Sequence, residues 1–280
     1  RFNRRFLFSC FRVCMLQRIM LKSPLSFFIL LQMPAFVWAQ GDYLLSSSQT
    51  TLTMKFQAEA SSIPKSIQKD ISMIPFFAHQ PKSVEQQLED LAFISSCENN
   101  FGSRVNASAF FCQMGWQYLS EGSKELATQR FNLAWLLNRH NPEAHWGLGV
   151  ILFQNNELQS ANASILKAAE LAPQHPAIHT DLATLLLERF LAEENVQFLF
   201  QARDTLLKVI EQFPHWATAH VQLASTYLHL GESVLAWEAF HKGYALSPSE
   251  VDFDLVDKLL HHADDPKGIF SLPNKNEKDY

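Results

Sequence analysis

Apolar residues along this chain follow two patterns. Near the start lies one dense run, Leu25-Ser26-Phe27-Phe28-Ile29-Leu30-Leu31. From residue 82 onward apolar residues recur three and four apart, the period of an amphipathic helix. Residues 82–97 place Val84, Leu88, Leu91, Ala92 and Ile94 on that period. This predicts an N-terminal helix within 82–104. Ser83 with Gln86 three residues on forms its start signal, and Asn99-Asn100-Phe101-Gly102 ends it. Residues 40–81, with Ser46-Ser47-Ser48, Pro64, Pro75 and Pro81, read as a loosely structured lead-in with a short strand near 50–56.

From residue 108 the pattern repeats. An Ala is followed four and seven positions later by residues on the same helical face: Ala127-Phe131-Ala134, Ala161-Ile165-Ala168, Ala202-Leu206-Val209 and Ala236-Phe240-Gly243. The Ala-to-Ala spacings are 34, 41 and 34. Twelve residues before three of these Ala stands a small residue: Gly115, Gly149 or Ala224. Met114, Leu148 or Leu223 precedes it, and Tyr118, Leu152 or Tyr227 follows three later. Pro173, Pro214 and Pro248 each lie twelve after their Ala, and Pro142 fifteen after Ala127. Each unit reads as two antiparallel helices. Small residues let them cross closely, Glu121-Gly122, Asn155-Asn156 or Leu230-Gly231 turns them, and Pro stops the second.

A 34-residue period with this layout resembles the tetratricopeptide repeat family, and the likeness covers about residues 108–250. It implies an all-α fold: a right-handed α-solenoid of helix-turn-helix units with N- and C-terminal capping helices. The repeats are 108–141, 142–175, 176–216 and 217–250. The third carries seven extra residues within Leu187–Gln201, which either extend its helices or project as a loop. The family's leading Trp is replaced by Phe111, His145, His179 and His220. Residues 251–262, with Val251, Phe253, Leu255, Val256, Leu259 and Leu260, read as the cap a solenoid needs over its last apolar face. Residues 263–280 read as a polar tail.

Charge adds a targeting reading. The net charge is −5, yet residues 1–39 carry six Arg and Lys and no acid, so the rest stands at −11. A basic, acid-free start, a short apolar run, Pro34 and then Val37-Trp38-Ala39 predict an export signal cleaved between Ala39 and Gln40. The first 19 residues are consistent with an over-extended reading frame, with Met15 or Met20 as the start. An uncleaved anchor and a mitochondrial transit peptide are the rivals. The expected location is periplasmic or secreted, with membrane contact only through the signal. A net acidic chain argues against an extended nucleic-acid surface.

No phosphate loop, dinucleotide fingerprint, GxSxG, HExxH or CxxC occurs. The chain reads as non-catalytic and cofactor-free. Asn106-Ala107-Ser108 and Asn162-Ala163-Ser164 match the glycosylation sequon. Cys97 and Cys112 remain after signal cleavage and are candidates for a disulfide in an oxidising compartment. His140 with His145, His175 with His179, and His215 with His220 fall at successive repeat junctions. They read as junction residues rather than metal ligands, and a pH-sensitive surface is the livelier alternative.

The resemblance further implies a concave groove lined by positions 2, 5, 9 and 12 of each first helix. Here these are Ala109, Cys112, Trp116 and Leu119; Glu143, Trp146, Val150 and Phe153; Ala177, Thr180, Thr184 and Leu187; and Thr218, Val221, Ser225 and Leu228. The stripe has no Lys, Arg or Asn for a partner's carboxylate. An apolar groove suits a peptide or helix, so the expected function is a protein-interaction scaffold of the cell envelope. Two alternatives compete. Trp116, Trp146 and Phe153 could stack on an envelope polymer or small apolar ligand, or the lead-in or the 82–97 helix could fill the groove from within.

Overall fold

The computed structural model describes residues 71–250 and 252–271. The cleavage site, the strand expected near 50–56 and residues 272–280 lie outside them. Among the described residues there are ten α-helices and no strand. The first helix, α1 (Val84–Phe101), starts with the capping box read from sequence. The Ser83 side chain accepts the Gln86 N–H, the Gln86 side chain accepts the Ser83 N–H, and Gly102 ends the helix at φ 73°. Its second half packs, with Cys97 buried, Phe93 against Phe111 and Phe101 against Phe110. Its first half does not: Val84, Leu88 and Leu91 are more than 60% exposed. Their helical period is real, but it marks no core face.

Four hairpins follow: α2 (Arg104–Ser120) with α3 (Lys124–Leu137), α4 (Pro142–Gln154) with α5 (Leu158–Leu171), α6 (Pro176–Glu193) with α7 (Gln197–Gln212), and α8 (Ala217–His229) with α9 (Ser233–Leu246). α10 (Phe253–His262) closes the stack, burying Leu255, Val256 and Leu259. The chain is an all-α solenoid of helical hairpins. Its register residues explain why: Ala127, Phe131, Ala134, Ala161, Ile165, Ala168, Ala202, Leu206, Ala236 and Phe240 are all fully buried. Phe131 fills the closest crossing. A Cβ at Gly115 would meet its ring at 2.7 Å, and one at Gly147 would meet it too. One aromatic ring therefore occupies space that two glycines, on neighbouring first helices, leave open.

Each hairpin turns on a left-handed residue, Gly122, Asn156, Glu194 and Gly231 in order. Pro142 and Pro176 open their helices at positions where the missing N–H is harmless. The seven extra residues of the third hairpin lengthen helices instead of forming a loop. α6 has 18 residues against 13 in α4, and α7 has 16 against 14 in α5.

The polar-tail reading fails for residues 263–271. Asp265 is buried and accepts the N–H groups of Lys267, Ile269 and Phe270, plus His241 Nε2 at 2.6 Å. Phe270 packs against Phe240 and Tyr244, and Trp237 Nε1 donates to the Ala263 carbonyl. A short polar-looking segment folds back because one carboxylate satisfies its backbone from inside.

Candidate interaction surface

The first helices α2, α4, α6 and α8 carry the expected groove stripe. Most of it is interior. Cys112, Leu119, Trp146, Val150, Thr180, Thr184, Val221 and Leu228 are buried, Trp146 at 1% exposure. Trp116, Glu143, Phe153 and Ser225 are half-buried, as are Leu187 and Thr218, while Ala109 is exposed and Ala177 buried. Trp146 as a solvent-facing anchor is therefore corrected: its ring sits between Trp116 at 4.7 Å and His175 at 5.4 Å.

What the buried stripe does is join each first helix to the next. Trp116 on α2 packs edge-on against Trp146 on α4, and the Glu143 carboxyl lies close to the same indole. Trp146 Nε1 on α4 donates to Asp181 Oδ2 on α6 at 2.8 Å. Gln222 Nε2 on α8 donates to Thr184 Oγ1 on α6 at 2.7 Å. Buried polar groups in an apolar stack are costly unless paired, so this ladder fixes helix register along the solenoid. Asp181 is the extreme case. Burial pushes its carboxyl up to about 7, against the lowering effect of the Trp146 indole. Burial also raises Glu143, with Trp116 opposing. Sequence reasoning missed Asp181 and Gln222 because both stand one position off the stripe.

The histidines have a structural task. His145 Nε2 pairs with the Arg139 carbonyl and His220 Nε2 with the Pro214 carbonyl, each six residues back and at 2.9 Å. His179 holds the same place at the start of α6, but its buried Nε2 has no hydrogen-bond partner among the described residues. At the His145 and His220 junctions the ring ties the start of a first helix to the end of the preceding unit. Burial lowers the proton affinity of His145, His175 and His179. Among the described residues no three or more His, Cys, Asp or Glu come together as a metal site.

The Cys97–Cys112 disulfide is not formed. Both are buried free thiols, and Cys112 accepts a long hydrogen bond from Asn141 Nδ2. Burial pushes the Cys97 thiol up to about 12 and raises Cys112 further. Thiols this reluctant to ionise are poor nucleophiles and poor oxidation partners. Both sequons lie in helices. Ser108 is buried and donates to the Ala134 carbonyl, and Ser164 donates to that of His145. No described helix is long and apolar enough to cross a membrane.

The end of the lead-in docks on the second helix of the first hairpin. Asn132 on α3 is fully buried. Its Oδ1 accepts the Phe76 N–H at 2.8 Å, and its Nδ2 donates to the carbonyls of Ser72 at 2.8 Å and Ile74 at 2.7 Å. Phe76 packs edge-on against Trp135 and beside His145, and Phe77 lies against Trp135 under the Lys82 ammonium. These partners belong to α3 and the start of α4, away from the first-helix stripe. Phe76, Phe77, Ala78 and His79 all have φ between 53° and 55°. Left-handed backbone costs a non-glycine residue roughly 1–2 kcal/mol, so the docked turn carries strain.

No family model matches the chain, and no curated protein matches it. Among solved structures, the fold is similar to PilF of Pseudomonas aeruginosa, with 19% identity over 57% of this chain and 68% of that one and a TM-score of 0.49. It is also similar to a thermophilic TPR protein of Thermus thermophilus, with 20% identity, coverage of 56% and 88%, and a TM-score of 0.48. MamA from Desulfovibrio magneticus shows 20% identity, coverage of 56% and 83%, and a TM-score of 0.46. Likenesses at this level say nothing of what the chain binds.

Proposed function

We propose that this protein is a non-catalytic, tetratricopeptide-like scaffold that binds another protein. The observation behind this reading is the division of labour along the first helices. Trp146, Asp181, Thr184 and Gln222 are spent on internal bonding, while Trp116, Glu143, Phe153 and Ser225 keep part of their surface open. Two half-exposed aromatics on adjacent first helices, with a carboxylate beside one of them, suit a protein segment bearing apolar and cationic side chains. The basic start, the apolar run and Val37-Trp38-Ala39 favour a place in the cell envelope or outside the cell.

The test is capture of partners by the full chain and by its Phe153→Ala and Trp116→Ala variants, with melts on the same samples. The reading expects one stoichiometric protein that binds at least tenfold more weakly to Phe153→Ala, with little change in the melt. A partner that binds both variants unchanged would remove this surface from the interaction.

A further inference from the structure

The outer site built on Asn132 handles the chain's own residues 72–79 as a peptide-binding site handles a ligand. One side-chain amide reads the backbone from both sides, accepting one N–H and donating to two carbonyls. Gln129 Nε2 adds a bond to Ser72 Oγ. An aromatic side chain, Phe76, fills the place between Trp135 and His145. Backbone pairing supplies affinity and a side-chain pocket supplies selectivity, the division seen in peptide recognition generally. A cavity of about 360 Å³, walled in part by Phe77, Gln87, Asp90, Trp135 and Arg139, lies beside the docked turn and leaves room for a bulkier occupant.

The last hairpin uses the same register for the same purpose. Asn132 and Trp135 stand five and eight after Ala127, and His241 and Tyr244 stand five and eight after Ala236. His241 holds Asp265, which gathers the 267–270 backbone, and Tyr244 packs Phe270. In the middle hairpins these positions are Leu166 with Ala169 and Leu207 with Ile210, which lack the polar group. The two docked segments differ in one respect. The C-terminal one takes its left-handed turn at Gly268, whereas the N-terminal one forces four consecutive non-glycine residues into that region. Gly268 is at ease there and Phe76–His79 are not. The first-hairpin site is thus well made and its occupant is not.

From this mismatch we propose that the surface formed by Gln129, Asn132, Trp135 and His145 is a second binding site. Its ligand is a short peptide with an aromatic side chain, and Ser72–His79, docked as two short helical turns, is a displaceable internal occupant. A competing peptide that keeps the aromatic residue and the backbone bonds without the left-handed turn binds with less strain. The site is centred on a second helix and does not depend on the first-helix reading above.

The test uses the full chain and a fluorescent synthetic peptide with the sequence of residues 71–81. An internal occupant competes at an effective concentration on the order of millimolar, so the unmodified chain binds the peptide weakly. Phe76→Ala weakens the internal occupant, and the peptide then binds at least tenfold more tightly. Adding Asn132→Ala abolishes that gain, and a peptide with Ala at the Phe76 position fails to bind. Equal binding to the unmodified chain and to Phe76→Ala overturns the proposal. So does a gain that survives Asn132→Ala. Should Phe76→Ala not fold, hydrogen exchange on the unmodified chain decides. Excess peptide speeds exchange of the Phe76 amide while α3 stays protected; an unchanged Phe76 rate means a permanent structural plug and refutes a binding site.

Discussion

Trp146 Nε1 bonds Asp181 Oδ2 at 2.8 Å, joining two first helices from inside the solenoid. The carboxyl is buried and held up to about 7, so its sign of linkage is the reverse of an exposed acid. The folded chain binds the proton more tightly than the unfolded chain. Stability from this group is complete near pH 4 and is lost as pH rises through about 7, a change on the order of 4 kcal/mol at most. Asp181→Asn keeps an acceptor for the indole and cannot ionise. Its thermal midpoint relative to the unmodified chain should improve between pH 5 and about pH 7 and level off above that. A constant offset across that range would mean that Asp181 does not titrate there.

Phe131 predicts a different response. Its ring lies where a Cβ at Gly115 would sit, at 2.7 Å. Gly115→Ala should destabilise by about 1–3 kcal/mol through overpacking, and Phe131→Ala by about 3–5 kcal/mol through the cavity it leaves. Chemical denaturation should show the double variant less destabilised than the sum of the singles, because each change relieves the other. Strict additivity would show that the ring and the glycine are not in contact.

The C-terminal fold-back should respond to acid in the opposite direction to Asp181. Burial pushes the Asp265 carboxyl up, but the N–H groups of Lys267 and Phe270 and the His241 ring outweigh it and hold it below the ordinary value. Its contribution is therefore present above about pH 4 and is lost as pH falls further. Asp265→Ala leaves His241 and three N–H groups without their acceptor, and should cost about 3 kcal/mol or more. Limited proteolysis at neutral pH should cut the variant after Lys267 and spare the parent.

The thiols offer a simple check on packing. Cys97 and Cys112 should be inert to a thiol reagent at pH 8 in the native chain, since burial keeps both protonated and out of reach. Both should react in denaturant without reductant, as read by mass mapping of their peptides. A disulfide-linked pair of peptides would restore the bridge that the fold here does not form.

The hairpin architecture was legible because helical packing writes itself into small residues. Ala127, Ala161, Ala202 and Ala236 mark the crossings, and Gly122 and Gly231 the turns, whereas Pro142, read as a stop for the helix before it, opens the helix after it. The groove was less legible. A period-based stripe tells which residues share a face, not whether that face meets solvent or the next helix. Trp146 and Val150 met the interior, and Trp116 and Phe153 kept an edge outside. Val84, Leu88 and Leu91 show the opposite error, a clean apolar period with no core beneath it. Asn132 and Asp265 were invisible for another reason. Each bonds the backbone of another segment, and backbone atoms carry no residue identity to read.

The claim that this solenoid works by holding another protein along its first helices is open to one direct measurement. A photo-crosslinking amino acid is placed at Phe153 in the full chain and irradiated in the producing cell. The account predicts a discrete protein adduct that disappears when Trp116→Ala is added. No protein adduct from Phe153, with efficient crosslinking from an exposed control such as Leu166, would contradict it.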